Sequence, residues 1–314
     1  MPEIPVLSVD DPDFADGMLD ACRRIGFFAV VDHGIAVRQF EAMRTLCAEV
    51  FAQSESVKHA ARITRHNYRG YIPLGFFTPN RIEANGATPD LYEGFKLHWE
   101  CAEGRSDCAL YGPNRWVEQL PQMKPTVLEY WGACDRLAGV LLDTLAPSLG
   151  LTPAELRSLH ADPLTNMTLL HYPERPADGS VGIHPHKDTN VLTFLHPDPV
   201  GGLQVRASDG RWIEPDVPEH ALLVNTGEML ELWSGGRMPA TPHRVLNPSG
   251  AERYSFPWFL VPNHAVTVRE LLPPIDGFAR APMPVGELSA EVWRTNWPDE
   301  QPTAAGHDLG TLDR

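Results

Sequence analysis

The sequence lacks the features that mark several protein classes. It has no basic start followed by an apolar segment, as an export signal would, and no run near the ~20 apolar residues of a membrane span. Basic residues number 26 against 41 acidic ones, and the net charge of −15 argues against nucleic acid or an anionic membrane as a partner. No internal repeat or low-complexity block is present. We therefore expect a cytoplasmic protein with no nucleic-acid or membrane partner.

Cysteine is scarce and is confined to the first half of the chain. The five residues make an odd count, and no two of them form a Cys-x-x-Cys motif. Cys101 and Cys108 could pair, but the spacing does not describe a disulfide framework. We interpret the chain as a cytosolic protein with free thiols.

The hydrophobic pattern changes along the chain from a helical period to short strands. Apolar stripes at helical spacing predict helices near residues 11–25, 37–53 and 123–149, and Thr152 opens a capping box for another. Residues from about 60 to 120 are predicted to be rich in loops. After about residue 165, short strand-like runs alternate with turn signals. The predicted strands are 167–172, 184–195, 202–205, 221–225, 230–233, 243–246 and 253–261.

Many short strands after a helical block predict a mainly β, α+β fold. Its core would be a double-stranded β-helix, or jelly roll, with the N-terminal helices packed outside it. The length of 314 residues suits one catalytic domain spanning 1–314. Within it we distinguish a helical and loop region at 1–155, a jelly-roll core at 160–265 and a C-terminal tail at 266–314.

Two histidines and a carboxylate form the strongest chemical pattern. Residues i and i+2 of a strand point to the same face, so His186 and Asp188 should project together. If His243 from a later strand meets them, they form the facial triad of non-haem Fe(II) sites, which leaves coordination positions open. Zinc is the competing metal, although no His-Glu-x-x-His helix motif is present.

A His-x-Asp pair alone is weak, because the chain contains two others. His160 and Asp162 lie between a helical pattern and Pro163, which favours an irregular connection. The other pair, His196 and Asp198, is split by Pro197, which a central strand could not hold. Only the pair at 186 and 188 leads directly into a strand-like run.

Arg253 and Ser255 form a second pair spaced i, i+2. Arginine presents a planar fork that binds a carboxylate through two hydrogen bonds, and serine adds a donor on the same face. Together they suit the far carboxylate of a dicarboxylate whose other end chelates the metal. Tyr172, on an earlier strand, is a candidate third donor.

Four residues are candidates for contact with a substrate, and no catalytic residue is predicted beyond the metal site. His184 shares a strand face with His186 by spacing, and His171 is close to the same region. Tyr68 and Phe95 belong to aromatic segments that could cover a pocket, or could simply pack against the sheet.

These motifs together resemble the Fe(II)/2-oxoglutarate-dependent dioxygenases of the isopenicillin-N-synthase-like type. The resemblance covers nearly the whole chain and includes the metal pair at 186 and 188, His243, and the Arg-x-Ser at 253–255. Further similar segments are residues 4–6, 26–35 (GFFAVVDHGI), 68–71 (YRGY), 201–205 (GGLQV) and 224–230 (VNTGEML).

The resemblance implies oxidation of an unactivated C–H bond in a small molecule, by hydroxylation, desaturation or ring closure. Fe(II), dioxygen and 2-oxoglutarate would be used, with release of succinate and CO2. The alternative is an oxidase on the same fold that uses no 2-oxoglutarate, in which Arg253 would hold a substrate carboxylate. The chain departs from the family where Leu170 replaces a common Asn and Lys187 a common Thr.

Overall fold

The computed structural model describes residues 4–76, 89–101, 108, 110–174, 181–207, 209–247 and 250–295. None of the helices in these ranges is both long and apolar enough to cross a membrane. The α-helices are α1 (Phe14–Arg24), α2 (Val37–Phe51), α3 (Glu55–Ala60), α4 (Met123–Leu145), α5 (Pro153–Ser158), α6 (Glu228–Trp233) and α7 (Val285–Thr295). The strands are β1 (Val6–Ser8), β2 (Phe27–Val31), β3 (Gly70–Ile72), β4 (Glu93–His98), β5 (Asn166–Tyr172), β6 (Val181–His186), β7 (Leu192–Leu195), β8 (Leu203–Arg206), β9 (Trp212–Ile213), β10 (Leu222–Thr226), β11 (His243–Leu246), β12 (Arg253–Ser255), β13 (Trp258–Leu260), β14 (Thr267–Val268) and β15 (Met283–Pro284).

Two sheets form the centre of the fold. The major sheet has the order β1-β2-β10-β7-β13-β5-β4-β3, with β12 also paired to β5, and the minor sheet has the order β6-β11-β8-β9. Every pairing in them is antiparallel except that of β1 with β2. Apolar side chains of both sheets meet in one buried cluster between them, among them Tyr172, Leu223 and Val245. The predicted double-stranded β-helix is therefore confirmed.

The predicted N-terminal helices pack on the outer face of the major sheet. The helix α4 buries a stripe that includes Tyr130 and Trp131, and these rings make edge contacts with Phe256 and Trp258. A 3-10 turn at Ala146–Leu149 continues α4, and the capping box of Thr152 opens α5 as expected. The apolar face of each helix thus supports the outer face of the major sheet.

The segment from 60 to 120 contains two strands that the sequence pattern does not predict. The strands β3 and β4 extend the major sheet, and β4 pairs with β5 along its whole length. Glu93 and Lys96 make this segment look unlike a strand in sequence, because charged residues are rare in buried sheets. Both charged groups have hydrogen-bond partners inside the fold, which permits their burial.

Three predicted strands have different structures. Residues 230–233 belong to α6, because an apolar run this short does not separate a buried helix from a buried strand. The run 253–261 is split into β12 and β13 at Phe256 and Pro257. The run 184–195 is split into β6 and β7, and Asp188 lies in the connection between them.

The described part of the predicted tail contains β14, β15 and α7, and residues 296–314 lie outside the described residues. Arg280 links this segment to α6 through Glu228 and Glu231, at 2.6 and 2.9 Å. None of the five cysteines forms a disulfide, and this includes Cys101 and Cys108.

Candidate metal centre

The three predicted metal ligands lie together at one end of the minor sheet. His186 ends β6 and His243 begins β11, and the two residues are direct partners across the antiparallel pair. The Nε2 atoms of His186 and His243 lie 3.7 Å from Oδ1 and Oδ2 of Asp188, respectively. Among the residues that the structure describes, this is the one cluster of His, Cys, Asp or Glu whose potential ligand atoms all lie within 4.8 Å of one another.

Asp188 reaches the cluster from a loop rather than from the strand. The spacing predicts His186 and Asp188 on one strand face, but β6 ends at His186. Oδ2 of Asp188 instead accepts hydrogen bonds from Thr193 Oγ1 on β7, at 2.6 Å, and Asn225 Nδ2 on β10, at 2.8 Å. These bonds orient the carboxylate and leave Oδ1 available to a metal ion.

The hydrogen bonds of the two imidazole rings select the tautomer that binds metal. Nδ1 of His186 lies 2.8 Å from the carbonyl oxygen of His184, and Nδ1 of His243 lies 3.2 Å from that of Thr241. A carbonyl oxygen only accepts, so each Nδ1 carries the proton and donates it. Each Nε2 therefore presents its lone pair toward the centre.

Electrostatics favour the ligating protonation states. Burial lowers the pKa of His243 to about 4, so this imidazole is neutral near pH 7. Burial alone would raise the pKa of Asp188, but its histidine neighbours and the bonds from Thr193 and Asn225 lower it overall. His243 thus offers a neutral imidazole and Asp188 a carboxylate, and together with the imidazole of His186 this donor set fits a divalent metal such as Fe(II).

The N-terminus of α6 holds the loop that carries Asp188. The backbone N–H groups of Gly227, Glu228 and Met229 donate to the carbonyl oxygens of Val191, Asp188 and Asn190, at 2.8 to 3.0 Å. A Cβ at position 227 would lie far inside van der Waals contact with Asn190 Oδ1 and with the Asn190 carbonyl oxygen. Only glycine allows this close approach.

We expect Gly227→Ala to push Asn190 away and disturb the Asp188 loop. The expected cost is about 1–3 kcal/mol in the free energy of unfolding, as in overpacked cores, with a roughly 10–100-fold loss of iron affinity. Chemical unfolding and iron titration measure the two effects.

Gly139→Ala is the matched control. Gly139 lies within α4, where only the flexible end of Arg157 approaches a new Cβ, at 3.5 Å. This change should leave iron affinity unaltered and stabilise the fold slightly. Equal iron affinity in the two variants would show that the α6 contact does not support the metal loop.

Arg253 carries an unpaired donor in the space between the sheets. Its side chain is 2% exposed, Nε donates to the carbonyl oxygen of Gly201 at 2.8 Å, and the guanidinium lies 4.8 Å from the centre of the Tyr172 ring. Its buried Nη1 has no hydrogen-bond partner among the described residues. A buried, unpaired guanidinium N–H fits an anionic ligand.

The other two predicted 2-oxoglutarate residues lie next to Arg253. On β12, Arg253 is opposite Tyr172 of β5, and Ser255 is opposite Leu170. Arg253 and Ser255 are both buried while Tyr254 is partly exposed, so the pair shares a face. Burial raises the pKa of Tyr172 to about 12, and its hydroxyl therefore remains a donor at neutral pH.

The predicted substrate residues divide between the two faces of the major sheet. His171 lies on the helix-facing side, stacked between Phe51 and Tyr254, with Nδ1 2.8 Å from Glu93 Oε1. Phe95 is 1% exposed in the same helix-side core. Because neighbours on a strand face opposite ways, His171 cannot share the face of Tyr172. Direct contact with a substrate at the metal is therefore not expected of His171 or Phe95.

His184 lies beside the metal centre. Its carbonyl oxygen accepts from His186 Nδ1, its own Nδ1 lies 2.7 Å from Asp90 Oδ1, and its side chain is 22% exposed. Tyr68 is buried in a separate small cluster with Ile72 and Phe76. His184 is therefore the predicted substrate residue that the structure places nearest to the metal ligands.

Comparison with known proteins agrees with this geometry. Residues 164–262 match the 2OG-Fe(II) oxygenase superfamily, and residues 4–119 match the N-terminal region described for the non-haem dioxygenase in morphine synthesis. Validamycin A dioxygenase of Streptomyces hygroscopicus subsp. limoneus is 29% identical over 280 residues, which cover 85% of this chain and 77% of that protein. The 2-oxoglutarate-dependent dioxygenase traH of Penicillium crustosum is 30% identical over 246 residues, covering 76% and 75%.

A solved structure shows the same fold. A full-length Neurospora crassa protein, crystallised in complex with alpha-KG and thymine, superposes with a TM-score of 0.80 at 23% identity, covering 94% of this chain and 97% of that one. The family match, the named relatives and the three metal-binding side chains thus indicate the same reaction chemistry. The chain belongs to the 2OG-Fe(II) oxygenase superfamily and is a 2-oxoglutarate-dependent dioxygenase that uses Fe(II).

Proposed function

We propose that this chain oxidises a C–H bond of a small molecule at an iron held by His186, Asp188 and His243. The observation that carries the proposal is the convergence of two imidazole Nε2 atoms and one carboxylate oxygen, each fixed by its own hydrogen bond. Bound Fe(II), with 2-oxoglutarate and dioxygen, supplies the oxidising power. The chain supplies the ligands and their orientation.

Arg253, Ser255 and Tyr172 would hold the far carboxylate of 2-oxoglutarate. The free Nη1 of Arg253 supports this role, because a buried carboxylate requires a charged partner. The bond from Nε to Gly201 fixes the guanidinium across the two sheets, so little side-chain freedom remains to be lost on binding. One oxygen atom of dioxygen would then enter succinate, and CO2 would be released.

The substrate itself would enter next to His184. Asp90 fixes the imidazole through Nδ1, which leaves Nε2 for contact with a substrate polar group. The similar proteins described above act on or hold small molecules by their names, validamycin A and thymine, and a small-molecule substrate fits this chain as well. Tyr68 remains a second candidate contact.

We further propose that the chain forms one catalytic domain in the cytoplasm. Both matched regions contribute strands to the major sheet, which supports one folding unit. The five cysteines, none of which forms a disulfide, support a reducing compartment.

A small-molecule panel tests the reaction with Fe(II), 2-oxoglutarate and oxygen. With a true substrate we expect succinate formation to exceed the substrate-free rate at least tenfold, with about one succinate per molecule of product. Product mass distinguishes hydroxylation, which adds one oxygen atom, from desaturation and ring closure, which both remove two hydrogen atoms. NMR spectroscopy of the product distinguishes the last two. Product formation without succinate would contradict the proposal and indicate an oxidase that places a substrate carboxylate on Arg253.

A further inference from the structure

Lys96 is a lysine on the inner face of the major sheet, where charged residues are rare. It lies on β4 opposite Thr168 of β5. Its neighbours Phe95 and Leu97 belong to the helix-side core, so Lys96 points to the other face, toward the minor sheet. The side chain is partly rather than fully buried. It is therefore positioned to line the space in which a substrate would bind.

The ammonium group of Lys96 is held in place but its charge is not neutralised. Nζ donates to Asn166 Oδ1 at 2.7 Å and to Thr168 Oγ1 at 3.0 Å, and it lies 5.2 Å from the centre of the Phe259 ring. No carboxylate of the described residues lies within 4.0 Å of it. An ammonium has three N–H donors, so one remains for a ligand.

Strand pairing places this ammonium at a short distance from the metal ligands. Phe259 of β13 is opposite Asn166 on one side and opposite Thr193 of β7 on the other. Thr193 in turn donates to Asp188. Asn166, which accepts a hydrogen bond from Lys96, is therefore two strand spacings, roughly 10 Å, from Thr193. A small molecule spans this distance.

Lys96 and Arg253 serve different ends of the site. The partner of Lys96, Thr168, lies four residues before Tyr172 on β5, which is about 13 Å along the strand. Tyr172 is the residue under the Arg253 guanidinium. A 2-oxoglutarate carboxylate on Arg253 therefore leaves the ammonium of Lys96 for another ligand.

The hydrogen bonds of Lys96 to Asn166 and Thr168 do not explain why this position carries a charged side chain. Burial lowers the pKa of Lys96 to about 7, an effect that the negative charge of Asp188 only partly opposes. A glutamine could bridge Asn166 and Thr168 without this electrostatic cost. A bound anion would remove the cost, because it would supply the missing counter-charge.

We propose that Lys96 binds a carboxylate of the small-molecule substrate and so selects acids over their neutral analogues. The inference rests on the proposed function, since it assigns the substrate class of the same site. The carboxylate would accept the free N–H of Lys96 while the rest of the substrate extends toward the iron ligands. Lys96 is then a specificity-determining residue of this dioxygenase.

Acid and amide pairs test the inference in the anaerobic Fe(II) protein with 2-oxoglutarate bound. Hexanoate, benzoate, phenylacetate and 3-phenylpropionate are titrated calorimetrically at pH 6.5, each beside its primary amide. We expect at least one acid to bind tenfold or more tightly than its amide to the wild type. In Lys96→Met and Lys96→Gln this preference should fall to twofold or less.

The pH dependence provides a second measurement. The negative charge of Asp188 raises the pKa of Lys96. His98 stays neutral, because burial lowers its pKa well below the usual range. Lys96 loses its positive charge as the pH rises through about 7. Acid binding by the wild type should therefore weaken above that pH, and binding by Lys96→Met should not change with it.

Lys58→Met is the matched control on the opposite side of the sheet. Lys58 forms ion pairs with Glu93 and Glu55, at 3.0 and 2.7 Å, behind the site. Its loss should lower the melting temperature without changing the acid preference. A wild type that binds 2-oxoglutarate but prefers no acid, or a Lys96→Met protein that keeps the preference, would overturn the inference alone. Failure of 2-oxoglutarate to bind would instead contradict the proposed function.

Discussion

Asp188→Ala should abolish succinate formation and lower the affinity for Fe(II) by more than 100-fold. Residues that merely orient metal ligands change metal affinity by roughly 10–100-fold, and a ligand itself should contribute more. Asp188 is also the only anion of the cluster, and its loss leaves Thr193 and Asn225 without their acceptor. Iron content after gel filtration and succinate release measure the effect.

Asp198→Asn is the control for this change. Asp198 belongs to one of the two misleading His-x-Asp pairs, and its side chain is 2% exposed and 2.6 Å from Arg44. The variant should lose roughly 1–3 kcal/mol of stability through its weakened hydrogen bonds and should keep its iron. If Asp188→Ala retains as much iron as Asp198→Asn, the assignment of the ligand is wrong.

Arg253→Ala should weaken 2-oxoglutarate binding far more than Ser255→Ala. Loss of the serine removes one hydrogen bond to a charged group, about 1.5–3 kcal/mol, or roughly 10- to 150-fold in affinity. Loss of the arginine leaves the carboxylate buried without a counter-charge, which costs about 3–5 kcal/mol. Iron binding should be kept in both variants, because neither residue belongs to the metal cluster.

Equilibrium binding of 2-oxoglutarate to the anaerobic Fe(II) protein separates these variants. Arg44→Ala serves as control, since Arg44 pairs with Asp198 and has a side chain that is 42% exposed. It should bind 2-oxoglutarate as the wild type does. An Arg253→Ala protein that matches the Arg44→Ala control would remove the cosubstrate assignment.

The metal cluster is predictable because it depends mostly on local spacing and residue type. Sequence spacing selects His186, Asp188 and His243, and the structure brings them together. The strand-face argument for the first two is only partly right, since Asp188 follows the end of β6 rather than continuing it. The loop returns the carboxylate to the cluster through bonds that residue spacing does not reveal.

The supporting residues depend on strand order, which the sequence does not show. Thr193 and Asn225 lie inside apolar runs of the sequence. A polar residue that interrupts such a run indicates a buried hydrogen bond, and this is the feature of the sequence that could have identified them. Their convergence on Asp188 requires β7 and β10 to be neighbours. Lys96 is not predicted as a site residue, because its segment resembles a loop in sequence and its strand is not predicted.

Successive residues of a strand point to opposite faces, and this alternation determines which substrate candidates lie on the face of the major sheet that is turned toward the metal ligands. His171 and Tyr172 are adjacent on β5 and therefore face opposite sides, so both could not belong to one pocket. This constraint is available from the sequence once residues 167–172 are assigned to a strand. Phe95 cannot be tested in this way, because the sequence pattern does not predict β4.

An anaerobic titration of the Fe(II) protein with 2-oxoglutarate tests the central claim most directly. Chelation of iron by the keto-acid end produces a visible charge-transfer band. We predict that this band saturates at one 2-oxoglutarate per chain in the wild type and is absent in His243→Ala. A His243→Ala protein that develops the wild-type band with the same midpoint would contradict the account, as would a fully iron-loaded wild type that develops no band.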